Sequence, residues 1–250
     1  MKRGWIAALV TGLLLLTLAC GETTPTPAID WQAPVDALFA LTAPLSIPAH
    51  LMEGRPPTAE DFDPNTYFTV LDRLTMEEGY VLDYVYYLDF LGGAPVLYAR
   101  PVEQPPYTSE AELPTEQAAN YLDHVRAEDS AEGFYQHTLL RLLGGRFYIY
   151  WHAGYGDIDV LANEAALTTR LTRGDDFGSE FPRSVRNAAR RLNPTPTVTL
   201  EEEHVTVTLL TYSNWRGFER HTFTLRRAFP HTLLHHEREV VVEYHCGVVF

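Results

Sequence analysis

The sequence contains little cysteine and almost no lysine. Its two cysteines, Cys20 and Cys246, are too few for a disulfide framework, so the stability of the fold has to come from a buried core. A hydrophobic content of 46% is ample for such a core. Lys2 is the only lysine, and 33 acidic residues outnumber the 19 basic ones. A chain this acidic is repelled by phosphate backbones, which argues against nucleic acid as a partner.

The sequence also lacks an apolar run long enough to cross a bilayer. The run at residues 5–18 has 14 residues, whereas a spanning helix needs about 20. Lys2 and Arg3 precede this run, and Leu18-Ala19-Cys20 follows it. A short basic start, an apolar middle and a small residue before a cut predict an export signal.

Leu18-Ala19-Cys20 resembles the lipobox of bacterial lipoproteins, although Thr17 stands where that family more often has leucine. The resemblance implies that residues 1–19 are a signal peptide, and that Cys20 is lipidated and becomes the mature N-terminus. It also implies a protein anchored to the bacterial cell membrane and working outside the cytoplasm. Several acyl chains would make this anchor permanent. An ordinary signal-peptidase cut, with Cys20 free or in a disulfide, is the alternative.

Residues 20–33 carry Thr-Thr-Pro-Thr-Pro and little that could pack, which is typical of a semi-extended tether. Residues 34–250 then predict a single α+β domain, or two sub-lobes at 34–155 and 156–250. We expect a twisted, mainly antiparallel sheet built from hairpins, with three to five helices packed on it.

Two hairpins of similar pattern are predicted in the first half of this domain. Residues 80–91 alternate in strand fashion and lead into a Gly92-Gly93 turn. Residues 134–143, the pair Gly144-Gly145 and residues 146–152 repeat that pattern with a constant offset of 52. The match indicates either an old duplication or two uses of one turn. A helix is expected between the hairpins, at residues 115–126.

Helices are also expected at residues 35–41 and after Asp63. Asp63 and Pro64 are typical of an N-cap and a first helical residue. We favour this helix, extending to Leu74, over a calcium-binding loop, because such a loop needs glycine where Thr66 stands.

The second half of the domain is predicted to contain two helices followed by strands. The first helix starts at Asn163 or Asp157 and ends near Arg173, and the second occupies residues 181–192. Alternating residues then predict strands at 197–200, 204–212, 217–227, 233–239 and 240–250.

Histidines and carboxylates supply the candidates for chemistry. The metal candidates are His231, His235, Glu237 and His245, but adjacent strand residues point to opposite faces, so few of them can share one ion. His152 with Asp157 is the acid–base candidate. Gly154-Tyr155-Gly156 is not a nucleotide site, because Asp157 and Asp159 would repel a pyrophosphate. No cofactor is expected.

The binding candidates are basic and aromatic. Arg183, Arg186 and Arg190 form the densest basic cluster, which could bind an anion or be a solvated face paired with carboxylates. Several aromatic side chains could line a sugar or peptide groove, although most are expected in the core. These aromatic candidates are Tyr84, Tyr86, Tyr98, Tyr148, Tyr150, Trp151 and Trp215.

Two functions are compatible with these observations. The favoured one is a non-catalytic envelope lipoprotein that binds a small ligand or an envelope protein through an open sheet face carrying aromatic residues. The alternative is an extracytoplasmic hydrolase or metal-dependent enzyme around His152 or residues 231–245. That alternative requires at least three of the candidate side chains to converge in one pocket.

Overall fold

The computed structural model describes residues 29–116 and 120–248. Within these residues the strands form three sheets in which every pair is antiparallel. This confirms the α+β class and the mainly antiparallel pairing, although the helices are slightly more numerous than expected. Cys20 and the export signal lie outside the described residues.

The chain enters the domain through short helices. α1 spans Ala33–Thr42 and α2 spans Ala49–Met52. The Asp63 carboxylate then accepts a hydrogen bond from the Asn65 amide and caps a 3-10 turn, Pro64–Thr66. α3, Tyr67–Val70, continues that turn. The expected cap is therefore confirmed, but the helix stops before Leu74 because Leu74 starts a strand.

Two small sheets follow. β1 (Leu74–Met76) pairs with β4 (Val125–Ala127). β2 (Tyr80–Leu88), β3 (Gly92–Pro101) and β5 (Tyr150–Trp151) form the second sheet. The first predicted hairpin is confirmed, but its turn is Asp89-Phe90-Leu91, since Gly92 and Gly93 already belong to β3. The Asp89 carboxylate fixes this turn by accepting the amides of Leu91 at 2.7 Å and Gly92 at 3.0 Å.

The second predicted hairpin is wrong, because its first half is a helix. α4 spans Ala131–Leu143 and is capped by Ser130, whose hydroxyl accepts the Gly133 amide at 3.1 Å. Residues 133–140 are buried on every side of this helix, so the sequence has no polar face to reveal the helical period. The match at an offset of 52 therefore compares a strand turn with a helix end and indicates no duplication.

The helix predicted at residues 115–126 is also wrong over its second half. A 3-10 turn, Tyr121–His124, leads directly into β4. Val125 is fully buried and pairs with Met76. The pairing is non-local, so it overrides the local helical spacing of the apolar residues. Residues 117–119 lie outside the described part of the chain.

The second half of the domain is built on a larger sheet. β6 (Asp159–Leu161) was not predicted, and it excludes a helix start at Asp157. The two predicted helices are present as α5 (Glu164–Arg173), capped by Asn163, and α6 (Arg183–Ala189), which is shorter than expected. The remaining strands are β7 (Thr197–Leu200), β8 (His204–Ser213), β9 (Gly217–Arg226) and β10 (Leu233–Glu243). Their order is β10-β9-β8-β6, and β7 pairs with another part of β8. The two strands predicted at 233–239 and 240–250 are one strand, which has two register shifts and ends at Glu243, and residues 244–248 are not part of it.

β8 contributes to two hydrophobic clusters. Val207 and Leu209 pack in the larger cluster, which includes most of α4, whereas Leu210 and Tyr212 pack in a smaller cluster with α5 and α6. The open part of this sheet carries polar residues instead of the expected aromatic ones. Cross-strand pairing brings together Thr197, Thr208 and Thr222, and likewise Thr199, Thr206 and Thr224.

Candidate functional site

A cleft of about 790 Å³ lies between α1 and α5. Its floor is formed by β6 and by residues 146–149, which connect α4 to β5. Pockets that hold small molecules measure roughly 300–1,000 Å³, so the cleft has the volume of a ligand site.

Many residues of the cleft lining are apolar. α1 supplies Leu38, which is buried, and Phe39, which is 68% exposed. An exposed phenylalanine on the wall of a cleft offers a contact surface to a bound molecule. The other main apolar lining residues are Leu45, Leu143, Phe147, Ile149, Leu161 and Ala166.

The cleft lining also contains ion pairs. Arg146 donates to Asp157 at 2.6 Å, and Arg173 donates to Asp176 at 2.7 Å. Burial raises the pKa of the Asp157 carboxyl, against the opposing effect of Arg146. Burial acts in the same direction on Asp176, but hydrogen bonds from Arg170 and a neighbouring amide outweigh it and lower the pKa of that carboxyl.

Arg170 is the buried centre of these ion pairs. Its guanidinium pairs with Asp159 and, at 2.9 Å, with Asp176, and it lies 4.6 Å above the ring of Tyr212. It also donates to the carbonyl of Gly174 at 3.1 Å. An arginine satisfied on all sides positions the surrounding carboxylates rather than binding a ligand itself.

A second candidate surface lies at the tip of the β2–β3 hairpin. We call it the hairpin patch and define it as Tyr87, Phe90, Leu91, Tyr150 and Trp151, all of which are exposed. Phe90 is 82% exposed and Trp151 is 54% exposed. Trp151 pairs with Gly92 across the sheet, which places β5 beside the hairpin turn.

The backbone around the hairpin patch is tightly constrained. A Cβ atom on Gly92 would lie 2.7 Å from the Tyr150 carbonyl oxygen and 2.9 Å from the Ala153 amide nitrogen, so only glycine fits. Tyr148 and Trp151 have φ values of +53° and +49°. Such values are rare for bulky residues and cost roughly 1–3 kcal/mol each. The backbone is therefore strained at Trp151, which is one of the exposed residues of the hairpin patch.

A row of aromatic rings extends from the hairpin patch to the larger sheet. His152 has its ring centroid 4.1 Å from that of Trp151 and 5.0 Å from that of Tyr155. Tyr155 contacts Trp215 at 4.6 Å, and Trp215 contacts His245 at 5.7 Å. Four sequence candidates, Trp151, His152, Trp215 and His245, are therefore brought into one row of rings.

The metal candidates occupy separate places. His231 is buried, with one ring nitrogen accepting the Ala127 amide at 3.2 Å and the other 3.3 Å from the Arg226 carbonyl. His235 and Glu237 are exposed on β10. Across residues 29–116 and 120–248, no group of three or more histidine, cysteine, aspartate or glutamate side chains could hold a metal ion.

The other sequence candidates have ordinary surroundings. Arg183 and Arg190 are exposed on and beside α6, whereas Arg186 donates to Glu180 at 3.2 Å. Most of the tyrosine candidates are core residues, as expected, since Tyr84, Tyr98 and Tyr148 are buried.

Sequence reasoning missed the principal surface residues. Phe39 and Phe90 were treated as members of a helix and a strand, and both are exposed. A signal for Phe90 exists in Asp89, because aspartate favours turns and two amides bond to its side chain. We find no local signal for Phe39.

No family model, curated protein or solved structure matches this chain. Among the helices of the described residues, none is both long and apolar enough to span a membrane.

Proposed function

We propose that this protein is a lipid-anchored extracytoplasmic binding protein that holds an envelope protein through the hairpin patch without catalysing a reaction. The observation that carries the proposal is the patch itself. Five large apolar side chains are exposed on the end of β2, the hairpin turn and β5, which pairs with the start of β3. Scattered exposed apolar residues are normal, but a contiguous group marks an interaction surface.

The composition of the hairpin patch favours a protein partner. Tyrosine and tryptophan dominate the binding energy of protein interfaces because they bury a large area at little cost in side-chain entropy. The cross-strand pairing of Gly92 with Trp151 holds these rings before any partner arrives. Preorganisation of this kind lowers the entropic cost of binding.

A binding role also agrees better with the arrangement of the candidate catalytic groups. His231 bonds to backbone groups, and Asp157 is paired with Arg146. A hydrolase or metal enzyme would need these groups to point into one pocket. Among the described residues, no three histidine, cysteine, aspartate or glutamate side chains form a group that could hold a metal ion, so we propose no second function.

Site-specific photo-crosslinking in the native membrane tests the partner. A photoreactive phenylalanine analogue is placed at Phe90 or Trp151, and the matched control is placed at Val240, which is exposed on β10. We expect one discrete crosslinked protein from both patch positions and none from the control. Equal adducts from all three positions, or none from the patch, would contradict the proposal.

The anchor is tested at Cys20. We expect mass spectrometry of the native protein to find acyl groups on this residue, and a Cys20→Ser variant to leave the membrane fraction. An unmodified Cys20 in a chain that retains residues 1–19 would contradict the proposed location.

A further inference from the structure

We infer that the cleft between α1 and α5 binds a small amphiphile that has an apolar chain and a cationic head group. This inference goes beyond the proposed function, since the cleft and the hairpin patch share no lining residue. It rests on the size of the cleft, the presence of both apolar and charged residues in its lining, and the balance of charges among them.

The apolar lining of the cleft offers a hydrocarbon chain a surface on which to bury itself. Phe39 of α1, Leu45 and Ile149 belong to this lining. A chain of moderate length that packs against these residues removes its carbon surface from water.

The charged lining has one more carboxylate than guanidinium. Among the described lining residues there are three arginines, Arg146, Arg170 and Arg173, and four aspartates. Each arginine is paired with at least one of Asp157, Asp159 and Asp176. An anionic head group would have to compete with carboxylates already in place for each arginine.

Asp36 is the fourth aspartate, and it makes no ion pair with a described residue. Its carboxylate accepts only a neutral hydrogen bond, from the Gln32 side-chain amide at 3.0 Å. Asp36 and Phe39 are three residues apart in α1 and therefore lie on one face of the helix. An ammonium group on Asp36 would thus place the attached chain along Phe39.

The net negative charge of the whole chain also favours a cationic head group. The acidic residues exceed the basic ones by 14, so the surrounding potential concentrates cations and repels anions. The absence of lysine beyond Lys2 also means that the domain offers no ammonium group of its own to occupy Asp36.

Three eight-carbon probes that differ only in their head group test the inference. Octylamine, octanol and octanoate are titrated by calorimetry at neutral pH into the mature chain carrying Cys20→Ser, so that no detergent competes. We expect saturable binding of one octylamine per chain, about tenfold tighter than octanol, with octanoate weakest. Equal binding of all three, a preference for octanoate, or no saturable binding would overturn the inference.

Substitutions distinguish a direct contact with Asp36 from the effect of the net negative charge of the chain. Asp36→Asn should reduce octylamine binding about tenfold, to the level of octanol. Glu239→Gln on β10 removes one negative charge outside the cleft lining and should change little. Phe39→Ser should weaken all three probes. If Asp36→Asn and Glu239→Gln behave alike, Asp36 is not the head-group site and the inference fails. Phe90→Ser should leave probe binding intact while abolishing the envelope crosslink, so the two proposals can fail independently.

Discussion

Replacement of His137 by leucine should remove a large part of the acid sensitivity of the fold. His137 lies in α4 with 0% of its surface exposed, and its ring centroid is 5.6 Å from that of His231. Neither ring nitrogen has a hydrogen-bond partner of normal geometry among the described residues, although the Leu122 backbone lies near. Burial, with smaller effects from Arg141 and His231, lowers the pKa of His137 to about 3.

The direction of the effect follows from proton binding. The ordinary histidine pKa is 6.5, so below that pH the unfolded chain binds a proton that folded His137 does not. The resulting stability is complete above pH 6.5 and is lost as the pH falls toward 3. Between about pH 7 and pH 5 the loss is about 2 kcal/mol, because the unfolded residue becomes protonated while the folded one stays neutral.

His221 should contribute a similar loss over the same interval. Burial, reinforced by His236 at 3.1 Å, lowers its pKa to about 4. The wild-type protein should therefore lose about 4 kcal/mol between pH 7 and pH 5 from these two residues. The carboxylates whose pKa is lowered, such as Asp176, add their own losses only at lower pH, because the ordinary pKa of aspartate is 3.8.

Urea unfolding of the wild type and His137→Leu at both pH values measures the effect. At pH 7 the variant should be at least as stable as the wild type, because leucine fills the site without buried, unbonded nitrogens. At pH 5 it should be about 2 kcal/mol more stable. His235→Gln, at an exposed position, should follow the wild type. Equal losses in the wild type and His137→Leu would refute the assignment of a neutral, buried imidazole.

Two further predictions use matched pairs of substitutions. Gly92→Ala should destabilise the fold by about 1–3 kcal/mol in urea unfolding, because the new Cβ would overlap the Tyr150 carbonyl. Gly145→Ala is the control and should be neutral, because its Cβ would have ordinary contacts. Equal losses of stability in the two variants would show that backbone crowding at Gly92 is not the cause. Tyr67→Phe should cost about 1–2 kcal/mol, because its hydroxyl donates to a buried carbonyl at 2.7 Å. Tyr135→Phe should cost nothing, since its buried hydroxyl has no partner among the described residues, and a larger loss for Tyr135→Phe than for Tyr67→Phe would contradict this view of the core.

The elements predicted correctly from the sequence are those in which the pattern of neighbouring side chains matches the buried and exposed faces or the caps of the element. β8 and β9 alternate between apolar residues and threonine, and this period of two matches their buried and polar faces. α5 was predicted for a similar reason, because Asn163 caps it and Gly174 follows it. The information in these cases lies within a few residues of the element.

The errors arose where distant residues decide the structure. α4 is buried on all sides, so its sequence resembles a central strand, and only the Ser130 cap distinguishes it. β4 exists because Val125 pairs with β1 across about 50 residues. The local spacing of apolar residues therefore does not predict either of these long-range contacts.

The candidate sites depend even more strongly on distant contacts. Trp151 and His152 could be selected from the sequence as unusual residues, but their proximity to Phe90 requires the pairing of β5 with β3. The lining of the cleft includes both Asp36 and Arg173, which are far apart in the sequence. Residue types alone indicated what chemistry was available, whereas tertiary structure decided which groups meet.

β10 has a consequence for contacts between copies of this chain. In the described sheet this eleven-residue strand has one paired side and one open side. Glu237, Arg238 and Glu239 stand along it, and two register shifts interrupt its regular geometry. An open strand edge can pair with the edge of another copy of the chain and so lead to aggregation. The charges and register shifts of β10 act against such pairing.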